Sequence, residues 1–87
     1  MRFTDDTVGV VKNDLLRQEV MDAVKRGDKY IDIARRAGFT RGKFVDTLSM
    51  KRRLGILPIP KRSWELDVTW QTHISANNAE RIAKALN

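Results

Sequence analysis

Three glycines, Gly27, Gly38 and Gly55, each stand directly behind a stretch whose apolar residues recur at helical spacing, which limits the first two thirds of the chain to short helices. From Asn13 to Arg26 the positions Leu16, Val20, Ala23 and Val24 share one helical face. Asn13 or Asp14 can cap its start, and Lys25 and Arg26 place positive charge at its end, as helix termini favour. A second face, Tyr30, Ile33, Ala34 and Ala37, runs from Lys29 to Ala37, and Asp28 offers a carboxylate to the free amides at its start.

The stretch between Gly38 and Gly55 admits two registers. In the first, Thr40 is the N-cap, Phe44, Val45 and Leu48 face the core, and Lys43, Thr47, Met50 and Arg53 form the outer stripe. In the second, Thr40 to Val45 is a loop turning at Gly42, and Asp46 caps a shorter helix. Met50 and Leu54 then point inward, with Ser49, Arg52 and Arg53 outward. The second better explains a lone carboxylate in a basic stretch, because a negative charge is stabilising at a helix N-terminus.

Beyond Pro58 and Pro60 the period shifts to two. Trp64, Leu66, Val68, Trp70, Thr72 and Ile74 alternate with Glu65, Asp67, Thr69, Gln71 and His73, which predicts a half-buried strand near residues 65–74. A strand needs a partner for its backbone groups. The candidates are Thr7 to Val11, the Ile56 to Ile59 segment folded back as a wing, or the same strand of a second copy. Ser75 then caps a closing helix with Ala79, Ile82, Ala83 and Leu86 inward. The expected fold is mainly α with a small β element, three to four helices and a strand or wing, in a single domain over residues 1–87.

Charge is distributed unevenly over this frame. Residues 41–62 hold Arg41, Lys43, Lys51, Arg52, Arg53, Lys61 and Arg62 against one acid, Asp46, and account for the whole net charge of +6. Such a block makes a local positive field able to displace counterions from a phosphate backbone. Taken alone, Lys51, Arg52 and Arg53 could also be a solvated helix end neutralising the dipole.

Other classes of function find little here. The chain has no cysteine, so disulfides and thiolate metal sites are excluded, and a reducing cytoplasm is the simplest setting. The segment Met1 to Asp6 lacks the apolar core of a signal peptide, and no apolar run approaches a membrane span. His73 is the only histidine, and no catalytic or metal-ligand spacing can be built around it. The expectation is a soluble, non-enzymatic, cytoplasmic or nucleoid-associated protein without metal or cofactor.

The segment from Tyr30 to Thr40, with Ile33, Ala34, Ala37 and Gly38 at their spacing, resembles the first helix and turn of the helix-turn-helix of bacterial and phage regulators. Asp46 to Ile56 and Ile74 to Asn87 are similar to small helix-turn-helix proteins of actinobacteria and their phages. The closing helix also looks like the last helix of lambda-repressor-like domains. The resemblance covers residues 28–87. It implies a helix-turn-helix core, duplex-DNA binding and a gene-regulatory role, repressor or Cro-like, with a recognition helix ending near Leu54 and Gly55. The long strand is not part of an all-helical repressor domain, so a winged-helix arrangement stays open beside the lambda-repressor-like one.

On that reading Ser49, Arg52 and Arg53 address base edges, joined by Lys43 and Thr47 in the longer register, while Arg41, Lys51, Lys61 and Arg62 hold phosphates. Trp64 and Trp70 share a strand face with Leu66 and Val68 and are expected to pack in the core or against a second copy, giving a homodimer. The rival expectations are a protein-interaction adaptor that docks an acidic partner on the same scaffold, and an excisionase-like recombination-directionality factor.

Overall fold

The computed structural model describes residues 9–60 and 68–86. In chain order the elements are β1 (Val10–Lys12), α1 (Asp14–Lys25), α2 (Tyr30–Arg36), β2 (Thr40–Arg41), β3 (Phe44–Val45), α3 (Thr47–Arg53), β4 (Ile59–Pro60), β5 (Val68–Thr69), β6 (His73–Ser75) and α4 (Ala76–Ala85). The fold is mainly α with a small β component.

The helices meet around one apolar cluster. Leu16, Val20 and Ala23 of α1, Ile33 and Ala34 of α2, Met50 of α3, and Ala79, Ile82 and Ala83 of α4 are all buried in it, joined by Leu54 and Ile74. Helical spacing assigns those of α1, α2 and α4 inward, the second register of the middle segment does so for Met50 and Leu54, and strand alternation places Ile74 on its inner face. Alanine at so many of the contact positions lets the helix axes approach closely, which suits a chain with few large apolar side chains to bury.

Helices α1, α2 and α3 end alike. A glycine at positive φ follows each, and the next residue's N–H bonds back across the last turn: Asp28 to the Ala23 carbonyl at 3.0 Å, Phe39 to Ala34 at 2.9 Å, Ile56 to Lys51 at 2.9 Å. Phe39 and Ile56 then return to the apolar cluster. At the other ends, Ser75 Oγ accepts from the Asn78 N–H at 3.2 Å and caps α4, as its sequence position predicts. Asp28 does not cap α2: Lys29 occupies that position, and the Asp28 carboxylate lies 3.8 Å from the Arg36 guanidinium.

The second register of the middle segment is the one adopted, since Asp46 caps α3 and both Met50 and Leu54 are fully buried. The first register fails because Thr40 lies in β2, and of its three inward residues Phe44 and Leu48 are 78% and 54% exposed, with only Val45 packed against the core. What that segment forms is a tight hairpin, with Thr40 opposite Val45 and Arg41 opposite Phe44. Gly42, at φ 57°, supplies the left-handed residue the turn requires. Residues 37–46 therefore separate α2 from α3, a longer connection than the three- or four-residue turn of a simple helix-turn-helix.

The continuous strand expected from Trp64 to Ile74 is divided. Val68–Thr69 pairs antiparallel with Ile59–Pro60, the fold-back partner, and His73–Ser75 pairs antiparallel with Val10–Lys12, the N-terminal partner. Between them the backbone turns to α1 instead: the Asn13 N–H donates to the Thr72 carbonyl at 3.1 Å, and the Asn13 side-chain amide donates to the Gln71 carbonyl at 2.8 Å. Trp70 consequently does not share a buried face with Ile74 and is 54% exposed. Lys61, Arg62 and Trp64 lie outside the described residues.

Candidate nucleic-acid interface

The shape of the site follows from the cap of α3. Asp46 Oδ1 accepts from the Ser49 N–H at 2.9 Å and fixes where the helix begins. With Met50 and Leu54 then buried one turn apart, Leu48, Ser49 and Arg52 are carried to the opposite side. The β2–β3 hairpin runs into the start of this helix and holds Arg41 beside it, with Arg41 Nε 3.9 Å from Asp46 Oδ2. Ile59 of β4 and Gln71 stand across from the helix. Together Arg41, Asp46, Leu48, Ser49, Arg52, Arg53, Ile59 and Gln71 enclose an open concavity of about 420 Å³.

Its walls are tied to each other from behind. Asn13, 1% exposed, occupies the N-cap position of α1 without capping it; its amide nitrogen donates to the Arg53 carbonyl at 3.0 Å and to the Gln71 carbonyl at 2.8 Å. Arg17 adds longer contacts of 3.4 Å to the Leu54 carbonyl and to Asn13 Oδ1. One buried amide thus joins the end of α3 to the strand side of the concavity. Gly55 is needed at this junction, because a Cβ there would run into the Gln71 carbonyl oxygen.

The sequence-selected site residues divide into groups. Arg41, Ser49, Arg52 and Arg53 come together around the concavity. Arg41 and Arg52 are exposed, whereas Arg53 is half-buried, its guanidinium 5.9 Å from the centre of the Phe39 ring and its Nε without a hydrogen-bond partner among the described residues. Lys43 is exposed at the hairpin turn and Thr47 is half-buried at the start of α3, both beside the concavity without lining it. Lys51 turns to α2, with its Nζ 4.2 Å from the centre of the Tyr30 ring, a cation–π contact.

Sequence reasoning missed Leu48, Gln71 and Ile59 as lining residues and Asn13 as the bracket behind them. Leu48 carried one signal, being an apolar residue out of phase with Met50 and Leu54. Asn13 carried none, because an asparagine ahead of an amphipathic run reads as a cap.

Chemically the concavity offers guanidinium donors, a hydroxyl and a carboxamide around a single carboxylate, a donor-rich cationic surface. Among the described residues no group of three or more His, Cys, Asp or Glu side chains gathers to hold a metal ion. His73 is exposed, with Nδ1 2.9 Å from Thr72 Oγ1, in a separate cleft of about 350 Å³ with Lys12, Asn13, Asp14 and Arg17. Among the described residues no helix is long and apolar enough to cross a membrane. Compared with known proteins, the chain matches no family model, no curated protein and no solved structure.

Proposed function

We propose that this chain is a sequence-selective duplex-DNA-binding protein of the helix-turn-helix type with a gene-regulatory role, and that the concavity in front of α3 is its contact surface. The observation that carries the reading is the convergence of Arg41, Ser49, Arg52 and Arg53 on one side of a short helix that is fixed from behind. α3 has seven residues, so it is about 10 Å long and fits the roughly 12 Å width of a B-DNA major groove.

Arg52 is the principal base reader. Its exposed guanidinium can grip guanine O6 and N7 with two bonds, worth about 1–3 kcal/mol of discrimination. Ser49 reads beside it, and Arg53, stacked near Phe39, supports Arg52 from the same turn. Arg41 and Lys43 hold phosphates at one edge, and Lys61 and Arg62, which lie outside the described residues, are assigned phosphates from their place in the basic block of the sequence. The antiparallel pair of Ile59–Pro60 and Val68–Thr69 serves as the wing in this reading. A surface this small reads few base pairs, so selectivity comes from two copies on a repeated or palindromic site, with the exposed Trp70 at the contact between copies.

Selection of bound sites from random duplexes tests this directly. A consensus with two half-sites is expected, and its preference over random DNA persists as rising salt screens the phosphate contribution. Recovery of unbiased sequence, or capture of an acidic protein with weak, salt-erased DNA retention, overturns it.

A further inference from the structure

Leu48 is 54% exposed on the second residue of α3, and the core neither covers it nor requires it. A solitary exposed leucine is common and by itself means nothing. Leu48 differs in its surroundings. It lines the concavity one helical turn before Arg52, next to Ser49 and near Arg41, so an apolar side chain stands in the middle of a donor-rich cationic surface. Leu15 of α1 and Ile31 of α2 are exposed too, at 72% and 44%, but neither lines the cationic concavity, and a surface meant for phosphates alone gains nothing from a branched hydrocarbon.

The major groove presents mostly hydrogen-bond donors and acceptors on its base edges, and one apolar group, the C5-methyl of thymine. We propose that Leu48 is a specificity-determining residue that packs on the methyl group of a thymine adjacent to the base read by Arg52. The inference rests on the assignment of the concavity to duplex DNA and names what part of the target that surface selects. Arg52 supplies the polar half of the recognition and Leu48 the apolar half, about 6 Å apart along one face of the helix.

The test begins with the full chain and its selected duplex, in which each thymine is replaced in turn by uracil, in both copies where the site is repeated. Uracil keeps the pairing and every hydrogen-bonding edge and lacks only the methyl group. Each methyl group removed at the sensitive position is expected to weaken binding about four-fold, the worth of one methyl-sized group removed from water, and so about fifteen-fold when both half-sites are exchanged. Leu48→Ala should bind the thymine duplex as weakly as the unaltered protein binds the uracil one, and should be indifferent to the exchange. Leu48→Met, which keeps an apolar side chain, should retain the sensitivity, and unchanged circular dichroism verifies that both variants fold. The proposal is overturned if every thymine can be exchanged without loss, or if the sensitive thymine remains equally sensitive in Leu48→Ala. Those outcomes leave a selective DNA binder whose Leu48 is idle; failure to select any duplex would instead remove the DNA reading itself.

Discussion

Arg81 and Arg52 carry the same side chain and are put to opposite uses. Arg81 of α4 directs Nε to the Ala37 carbonyl at 3.0 Å, one terminal nitrogen to the Gly38 carbonyl at 2.8 Å and the other to Asn78 Oδ1 at 3.2 Å, with its plane 5.3 Å from the Phe39 ring centre. Among the described residues the Arg52 side chain has no hydrogen-bond or ion-pair partner, and it lines the concavity. The difference lies in what is nearby. Arg81 reaches from α4 to the C-terminus of α2, where the Ala37 and Gly38 carbonyls are open to it, while Arg52 lies in the last turn of α3, whose end carbonyls on Arg53 and Leu54 already accept from Asn13 and Arg17. A guanidinium that finds open end carbonyls becomes part of the framework, and one whose neighbouring end carbonyls are already taken stays at the surface.

The comparison extends to Asn13, which ties the framework to the interface and carries the largest expected effect. Asn13→Ala leaves the Arg53 and Gln71 carbonyls without their buried donor and should cost about 2–3 kcal/mol. For a domain of this size that corresponds to a fall in Tm of about 10–20 °C in a thermal melt followed by circular dichroism. Because the same amide holds the two walls of the concavity, selectivity among duplexes should weaken even at temperatures where the variant remains folded. An unchanged melting curve would show that framework and interface are not joined through this residue.

The arginines themselves come next. Arg81→Ala should lower stability by about 1 kcal/mol, since the last carbonyls of α2 lose their donors, and Arg81→Lys should recover little of it because an ammonium cannot reproduce the fork that reaches Ala37 and Gly38 together. Arg52→Ala should leave the chemical denaturation midpoint within the equivalent of about 0.5 kcal/mol and instead reduce preference for the cognate duplex. Equal stability losses in the two variants would break the distinction.

Much of the framework was legible in the sequence because it obeys local rules. Spacing alone identified Leu16, Val20, Ala23, Ile33, Ala34, Ile82 and Ala83 as inward, and cap chemistry favoured the register in which Asp46 opens α3. Ser75 was legible for the same reason. What could not be read was set by contacts distant in sequence. Alternation extended one strand from Trp64 to Ile74, but Asn13 captures the backbone at Gln71 and Thr72 and splits it, a contact spanning 58 residues for which no local pattern exists. The candidate site was legible as a charge block and not as a surface: counting cations gathered Arg41, Arg52 and Lys51 alike, yet Lys51 is engaged by Tyr30 and Leu48, which has no charge, stands in the concavity.

The smallest effect on the fold should come from Arg41, and it isolates the interface most cleanly. Its side chain is 88% exposed, and its sole ion pair among the described residues, 3.9 Å to Asp46, is long and solvent-screened. Arg41→Ala should therefore change the denaturation midpoint by less than the equivalent of about 0.5 kcal/mol, because the Asp46 cap on Ser49 does not depend on it. DNA binding should respond differently. If Arg41 neutralises one phosphate, binding to cognate and random duplexes should weaken by the same factor, and the slope of log K against log salt should flatten by about 0.9. Arg41→Lys should restore the slope, since a phosphate held by charge alone accepts either cation. A loss confined to the cognate duplex would move Arg41 from the edge of the interface to its base-reading centre, and an unaltered slope would return it, with Arg81, to the framework.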